Sequence, residues 1–309
     1  MNLELALAAG IASGTVLLFA AIGELFTERS GILNLGVQGM MFVGALAGFR
    51  VGIEVDPWLG IVAAMAIGAI FAGLHGFVTI HLQANQIVSG LALTFLGTGV
   101  AMVLGDGLPT SSPALLPVIT LPLLSQIPFI GPVFFTEHSI LVYVGYLLVP
   151  ITSIWIFRTR AGLHLRAVGE QPSAADALGV NVYRLRYFYT MLGGALAGLA
   201  GATITMALVP GWHADKTVIA QGWIAVALVI FGQWKPGRTM FGAYMVAFIF
   251  RLTLDLQGPT NFFGIPNICS EYQPSTYFLE MLPWAMVILV LVIAAREANR
   301  KRIGAPASL

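Results

Sequence analysis

The sequence predicts an all-α polytopic membrane protein, a bundle of about nine transmembrane helices (eight to ten) with a cytoplasmic loop. Of its 309 residues, 58% are hydrophobic and 9% are charged, and the mean hydropathy is +0.87. A soluble domain carries about 25% charged residues. A water-soluble fold of this length cannot hide so much apolar surface, so the whole chain, residues 1–309, is expected to form one transmembrane domain.

Stretches without Asp, Glu, Lys or Arg mark the individual helices. The longest covers 49 residues, 57–105. It is long enough for two spans of about 20 residues each, and the polar residues at 81–85 divide it. The predicted segments lie near 5–26, 31–50, 57–80, 86–105, 138–157, 188–209, 217–232, 238–255 and 278–295.

The basic residues predict the orientation. Five of the 15 lie between Arg158 and Arg186, in a polar loop that covers 158–187. If this loop is cytoplasmic and the segments alternate, 12 of the 15 basic residues fall on the inner side, as the positive-inside rule requires. The short tail 296–309 is then cytoplasmic, and the proline-rich loop 106–137 is external. The N-terminus is also external on this count, but one re-entrant segment would reverse it.

The sequence contains no recognisable catalytic or metal-binding pattern. It lacks G-x-x-x-x-G-K-[ST], H-E-x-x-H and G-x-S-x-G motifs, and its single cysteine, Cys269, cannot form an intrachain disulfide. We therefore expect no catalytic residue and no metal site. The net charge of +1 gives no reason to expect a nucleic-acid partner.

Three blocks of sequence resemble one transporter family. The cytoplasmic loop reads G-x-x-x-R-A-V-G-E-x-P-x-A-A-x-x-x-G from Gly162 to Gly179, residues 28–41 read E-R-S-G-I-L-N-L-G-V-Q-G-M-M, and residues 193–202 read G-G-A-L-A-G-L-A-G-A. In this order they resemble the permease subunits of ABC importers in the ribose/branched-chain amino acid permease superfamily, simple-sugar/nucleoside branch. The similarity runs over most of the chain.

The resemblance implies a non-catalytic membrane subunit that imports a small polar solute, such as a nucleoside, a purine or a simple sugar. ATP and Mg would be bound by a separate ATPase subunit, and this chain would bind no cofactor. The implied partners are that ATPase, a second similar permease subunit in a heterodimer, a periplasmic or lipoprotein solute-binding protein, and membrane lipid. The implied location is the bacterial inner membrane, which the chain crosses several times.

The resemblance also implies that the loop 158–187 couples the permease to the ATPase. A short helix near 173–178 would sit in a groove of the ATPase, so that closure of the ATPases moves the membrane helices as levers. Glycines at 169 and 179 are expected to flank this helix as flexible ends. The residues assigned to coupling are Arg166, Gly169, Glu170, Pro172, Ala174, Ala175 and Gly179.

Polar residues in or beside the apolar segments are candidates for the translocation path. Asn34 and Gln38 are four residues apart, so on a helix they share a face, and nearby glycines interrupt the apolar run. Hydrogen bonding to a neighbouring helix explains this pair equally well. Gln38 stands where the family pattern has Glu. Trp223 could instead pack in the core. The complete candidate set is Asn34, Gln38, Asn85, Gln86, Ser89 and Trp223.

An ion-coupled secondary transporter or channel is the alternative function. Such a protein needs ionisable groups deep in the membrane, and the chain offers few. Glu24 lies near the inner end of the first segment, and Arg251 and Asp255 are spaced to pair with each other. His75 is expected to hydrogen-bond a neighbouring helix. Trp212 and Trp234 are expected at the membrane surface, where aromatic residues concentrate.

Overall fold

The computed structural model describes residues 3–213, 218, 220–257, 278, 281, 282, 284–289 and 292. Nearly all regular structure in this part of the chain is helical. The helices are α1 (Leu3–Arg29), α2 (Val37–Glu54), α3 (Pro57–Gly76), α4 (Gln86–Leu104), α5 (Ile130–Phe134), α6 (Ile140–Arg158), α7 (Arg160–Glu170), α8 (Pro172–Ala177), α9 (Val182–Thr203), α10 (Gln221–Gly232) and α11 (Pro236–Gln257).

Two helices continue as short π-helices, Phe77–His81 after α3 and Ile204–Leu208 after α9. The only strands among the described residues are β1 (Val118–Ile119) and β2 (His138–Ser139), which pair antiparallel. They lie in and beside the predicted loop 106–137, where α5 is the single helix. The all-α class is therefore confirmed.

Five of the described helices are long and apolar enough to cross a membrane. They are Leu3–Arg29, Pro57–His81, Gln86–Leu104, Ile140–Arg158 and Val182–Leu208. Each is at least 19 residues long, close to the length that a bilayer requires. Much of the predicted segment 278–295, the tail 296–309 and Cys269 lie outside the described residues, so a total of nine spans stays a prediction.

Two of the predicted segments become helical a full turn or more later than the sequence suggested. The segment at 31–50 becomes a helix only at Val37, because the residues before it form an irregular stretch. The segment at 217–232 becomes α10, which has 12 residues and begins at Gln221. A helix of this length is too short to span a bilayer alone.

Helix α9 lies at the centre of the bundle and packs closely on α1, α2 and α3. A Cβ atom at Gly193 would lie 2.7 Å from the carbonyl oxygen of Gly23 in α1, and one at Gly201 would lie 2.8 Å from the nitrogen of Ala45 in α2. Small residues are needed where helix backbones approach this closely. The predicted structural role of the small residues is therefore confirmed at Gly193 and Gly201. We call the four glycines of this contact the α9 seam: Gly193, Gly194, Gly198 and Gly201.

The outer faces of α3, α4 and α6 expose large apolar side chains. Phe95 and Val103 of α4 and Leu147 of α6 are among the most exposed. Lipid chains solvate such side chains as well as a protein core does. The polar side chains of the candidate site lie instead inside the bundle, between α1, α2, α3, α4 and α10.

Candidate translocation path and coupling loop

An irregular stretch, residues 30–36, joins α1 to α2 inside the bundle; we call it the α1–α2 break. The backbone nitrogen of Leu33 donates to Gln86 Oε1 at 2.7 Å, and the Leu33 carbonyl oxygen lies 3.1 Å from His75 Nε2. The other ring nitrogen of His75 is 3.0 Å from Ser89 Oγ. Backbone that leaves the helix in an apolar setting must find such partners. The structure thus brings Gln86 and Ser89 together around the break.

Asn34 lies in the break and is fully surrounded by protein. Its backbone nitrogen donates to Glu24 Oε1 at 2.9 Å, its Oδ1 accepts from the nitrogen of Gly36 at 2.9 Å, and its Nδ2 lies 3.4 Å from Met40 Sδ. The prediction that Asn34 and Gln38 share a helix face is wrong, because α2 begins only at Val37. A contact between Asn34 and a transported solute stays a prediction.

Gln38 lies in the first turn of α2 and faces the start of α10. Its Oε1 accepts from the backbone nitrogen of Gly222 at 2.7 Å, and its Nε2 donates to the carbonyl oxygen of Val218. The side chain therefore uses both ends of its amide in bonds to backbone. A carboxylate could accept the first bond but could not donate the second.

The remaining path candidates lie apart from these contacts. Asn85 is exposed and caps α4, because its Oδ1 accepts from the nitrogens of Ile87 and Val88 at 2.9 and 3.1 Å. An asparagine directly before an apolar run is a common helix start signal, so its capping role could have been predicted. Trp223 is half-buried in α10. A path role for either residue stays a prediction.

A buried polar cluster that the sequence analysis missed lies where α1 ends. Trp234 Nε1 donates to Glu28 Oε2 at 2.6 Å, and Arg29 Nη2 donates to the Trp234 carbonyl oxygen at 3.1 Å. Glu24 lies one helical turn before Glu28, and both are buried. Two carboxylates at i and i+4 in an apolar helix are the signal that could have revealed this cluster. Trp234 thus bonds within the protein, whereas Trp212 is buried against Gly105, so neither acts simply as a surface anchor.

The predicted coupling loop contains two helices: α7, which packs against this end of α1, and α8, which packs against α7 and α9. A Cβ atom at Gly169 would overlap the carbonyl oxygen of Arg29. The prediction that Gly169 is a flexible end is wrong, since it lies inside α7 and is buried at a close contact. Arg186 Nε of α9 donates to the Ser30 carbonyl oxygen at 3.2 Å, so α9 also holds the α1–α2 break.

The short helix predicted near 173–178 is present as α8, Pro172–Ala177. Proline suits its first turn, because the missing N–H has no partner there anyway. Gly179 follows the helix with φ +82, and Val180 donates its N–H to the Ala175 carbonyl oxygen at 3.0 Å. This is the left-handed C-terminal cap in which glycine is favoured, so Gly179 has a defined conformation rather than a flexible one.

The other predicted coupling residues divide into buried and exposed groups. Ala175 is buried with Val168 of α7 and Val182 of α9, which fixes α8 on the bundle. Glu170 and Ala174 are exposed. Arg166 lies partly buried, with its guanidinium carbon 5.7 Å from the centre of the Phe157 ring. Among the described residues, no three His, Cys, Asp or Glu side chains come together in a way that could hold a metal ion.

Comparison with known proteins decides the family. A profile of the family described as "Branched-chain amino acid transport system / permease component" matches residues 6–295. The chain belongs to this permease family. The resemblance drawn from the three sequence blocks is therefore confirmed. No solved structure matches the chain significantly.

Curated relatives cover almost the whole permease. A putative glucose ABC transporter permease protein of Haloferax volcanii is 37% identical over 97% of this chain and 94% of the relative. A nucleoside ABC transporter permease protein of Lactococcus lactis is 35% identical over 96% and 94%. A guanosine ABC transporter permease protein of Bacillus subtilis is 33% identical over 89% and 87%.

Proposed function

We propose that this permease forms the translocation path of an ATP-driven ABC importer for a small polar solute, a nucleoside, a purine or a simple sugar. The observation that carries the proposal is end-to-end similarity to ABC permease proteins named for glucose, nucleosides and guanosine. The alternative of an ion-coupled transporter or channel has no comparable support. The chain itself would hydrolyse nothing, since ATP and Mg would bind to a partner ATPase.

The proposed complex contains a second permease subunit, an ATPase and a solute-binding protein, and lies in the inner membrane. Its external and cytoplasmic sides follow the basic residues, with α7 and α8 in the cytoplasm and the loop 106–137 outside. The nine predicted segments fit this arrangement, with α10 too short to cross the bilayer alone. One half of the path would come from this chain and the other from the second permease subunit.

In this proposal α7 and α8 carry the force of ATP binding into the membrane. Leu178, at the end of α8, is 85% exposed, although it lies in the polar loop and not on a lipid-facing helix. An exposed leucine beside small residues suits insertion into a groove of a partner. Behind it, Ala175 and Gly169 fix the two helices on α9 and α1. Movement of α8 would therefore displace the α1–α2 break and the polar residues around it.

Uptake by the purified complex tests the proposal. The four components are reconstituted in liposomes, and uptake of a panel containing guanosine, other nucleosides, free purines, glucose and ribose is measured with and without internal ATP. The proposal expects uptake of one of these classes only with ATP and with the binding protein. Uptake that needs an ion gradient and no ATP would instead establish the secondary transporter.

A further inference from the structure

The start of α10 lies inside the bundle, directly against the first turn of α2. A Cβ atom at Gly222 would lie 2.5 Å from both the backbone nitrogen and the Cα of Gln38, so no other residue fits at this contact without displacing a helix. Val218 is buried as well. The first N–H groups of a helix have no partner within it, and here the helix start is away from water. Some other group must therefore satisfy them.

The amide of Gln38 supplies both kinds of partner at this point. It accepts from the Gly222 nitrogen at 2.7 Å and donates to the Val218 carbonyl oxygen. The side chain is 6% exposed. With both ends of the amide already bonded and little surface open, Gln38 is poorly placed to bind a solute. It is well placed to hold two chain segments together.

We propose that Gln38 is a positioning residue of the transport cycle, which joins α2 to the intramembrane end of α10 so that the two helices move together. This inference rests on the proposed function. The α1–α2 break contacts α9 at Ser30 and leads directly into α2. A displacement that begins at α7 and α8 thus reaches α10 through the Gln38 amide.

Replacing Gln38 by Glu distinguishes a positioning role of this side chain from a role in binding the solute. A carboxylate still accepts from the Gly222 nitrogen, but its second oxygen then faces the Val218 carbonyl oxygen, and two acceptors cannot bond. A protonated carboxyl has one hydroxyl donor and one acceptor oxygen, as the amide does. In Gln38→Glu, the bond to the Val218 carbonyl oxygen should therefore form at low pH, where the carboxyl is protonated, and be lost where the carboxyl is ionised.

The experiment measures solute taken up per ATP hydrolysed in liposomes that contain the complete complex, relative to the unmodified complex at the same pH. Three variants are compared at about pH 8 and about pH 5.5, a range in which a carboxyl in a protein can titrate. Gln38→Glu is the test. Gln38→Met keeps the size of the side chain without either bonding group. Gln83→Glu makes the same change of charge on an exposed side chain.

We expect uptake per ATP by Gln38→Glu to exceed that by Gln38→Met about tenfold at the lower pH, where a protonated carboxyl keeps both bonds, and to fall only as the carboxyl ionises, with the KM for solute unchanged. Uptake per ATP by Gln38→Met should be low at both pH values. Uptake per ATP by Gln83→Glu should match that of the unmodified complex at both. Recovery in the same preparation also shows that the variant is folded and assembled.

Two results would overturn the inference. Uptake per ATP by Gln38→Met that equals the unmodified complex at both pH values means that the two hydrogen bonds do not matter for coupling. A changed KM or solute preference with unchanged turnover assigns Gln38 to solute contact. Failure of the proposed function looks different, because the unmodified complex then shows no ATP-dependent uptake at all.

Discussion

The α9 seam and the α1–α2 break solve opposite problems within the same bundle. In the seam, four glycines let the backbones of regular helices touch. In the break, the backbone leaves the helix and is held by Gln86, His75 and Glu24. A larger side chain in place of a seam glycine would push the helices apart. In the break, removal of a single polar side chain is enough to free the backbone that it holds. Movement that is needed for transport is therefore expected at the break.

The largest effect should come from adding one methyl group to the seam. In Gly201→Ala the new Cβ would overlap the carbonyl oxygen of Met41, which belongs to a helix backbone and cannot rotate away. We expect a loss of about 3 kcal/mol of stability, measured as a lower melting temperature in detergent. Gly99→Ala is the matched control, because no atom of another helix lies within 4 Å of its Cβ position. Equal melting temperatures of the two variants would contradict the seam.

Removing a polar group from the break should have the next largest effect. His75→Leu deprives the partly buried Leu33 carbonyl oxygen of its partner, which costs about 2 kcal/mol. Hydrogen exchange should increase at residues 31–36 and not along α9. His164→Leu, an exposed change of the same kind, should affect neither. If exchange rises equally across the whole bundle, the break is not a separately held unit.

A smaller loss of stability is expected from a change at Trp234, in the connection between α10 and α11. Trp234→Phe keeps the apolar ring but loses the N–H that bonds Glu28, so the buried carboxyl group of Glu28 loses this donor. We expect a decrease of about 1.5 kcal/mol, again measured by thermal unfolding. Trp58 is half exposed, and Trp58→Phe serves as the control. A Trp234→Phe variant as stable as this control would show that the bond to Glu28 contributes nothing.

The smallest effect should come from an ion pair outside both regions. Arg50 and Glu54 are both exposed, with 3.2 Å between Nε and Oε1. Such a pair contributes about 0.5 kcal/mol or less. Glu54→Gln should therefore leave the melting temperature nearly unchanged. A drop as large as that of Trp234→Phe would mean that surface charges, and not the buried polar groups, set the stability of this protein.

The seam could be predicted from sequence because its signal is local: small residues at a spacing of four in an apolar run. The same holds for α8, which proline and alanine indicate, and for the division at residues 81–85. The break could not be predicted, because Leu33 finds its partners on α3 and α4, more than 40 positions away. The role of Gly169 was hidden for a similar reason, since only the fold brings it against Arg29. A glycine's sequence context does not distinguish a hinge from a close contact.

Retention of the ATPase by a permease changed at the end of α8 tests the central claim most directly. Leu178→Arg places a charge on the exposed leucine of α8, and Leu123→Arg makes the same change at a residue 82% exposed in the loop 106–137. The account predicts that Leu178→Arg loses the ATPase on purification and loses ATP-driven uptake, while Leu123→Arg retains the ATPase. Retention of ATPase and uptake by Leu178→Arg would contradict coupling through this helix.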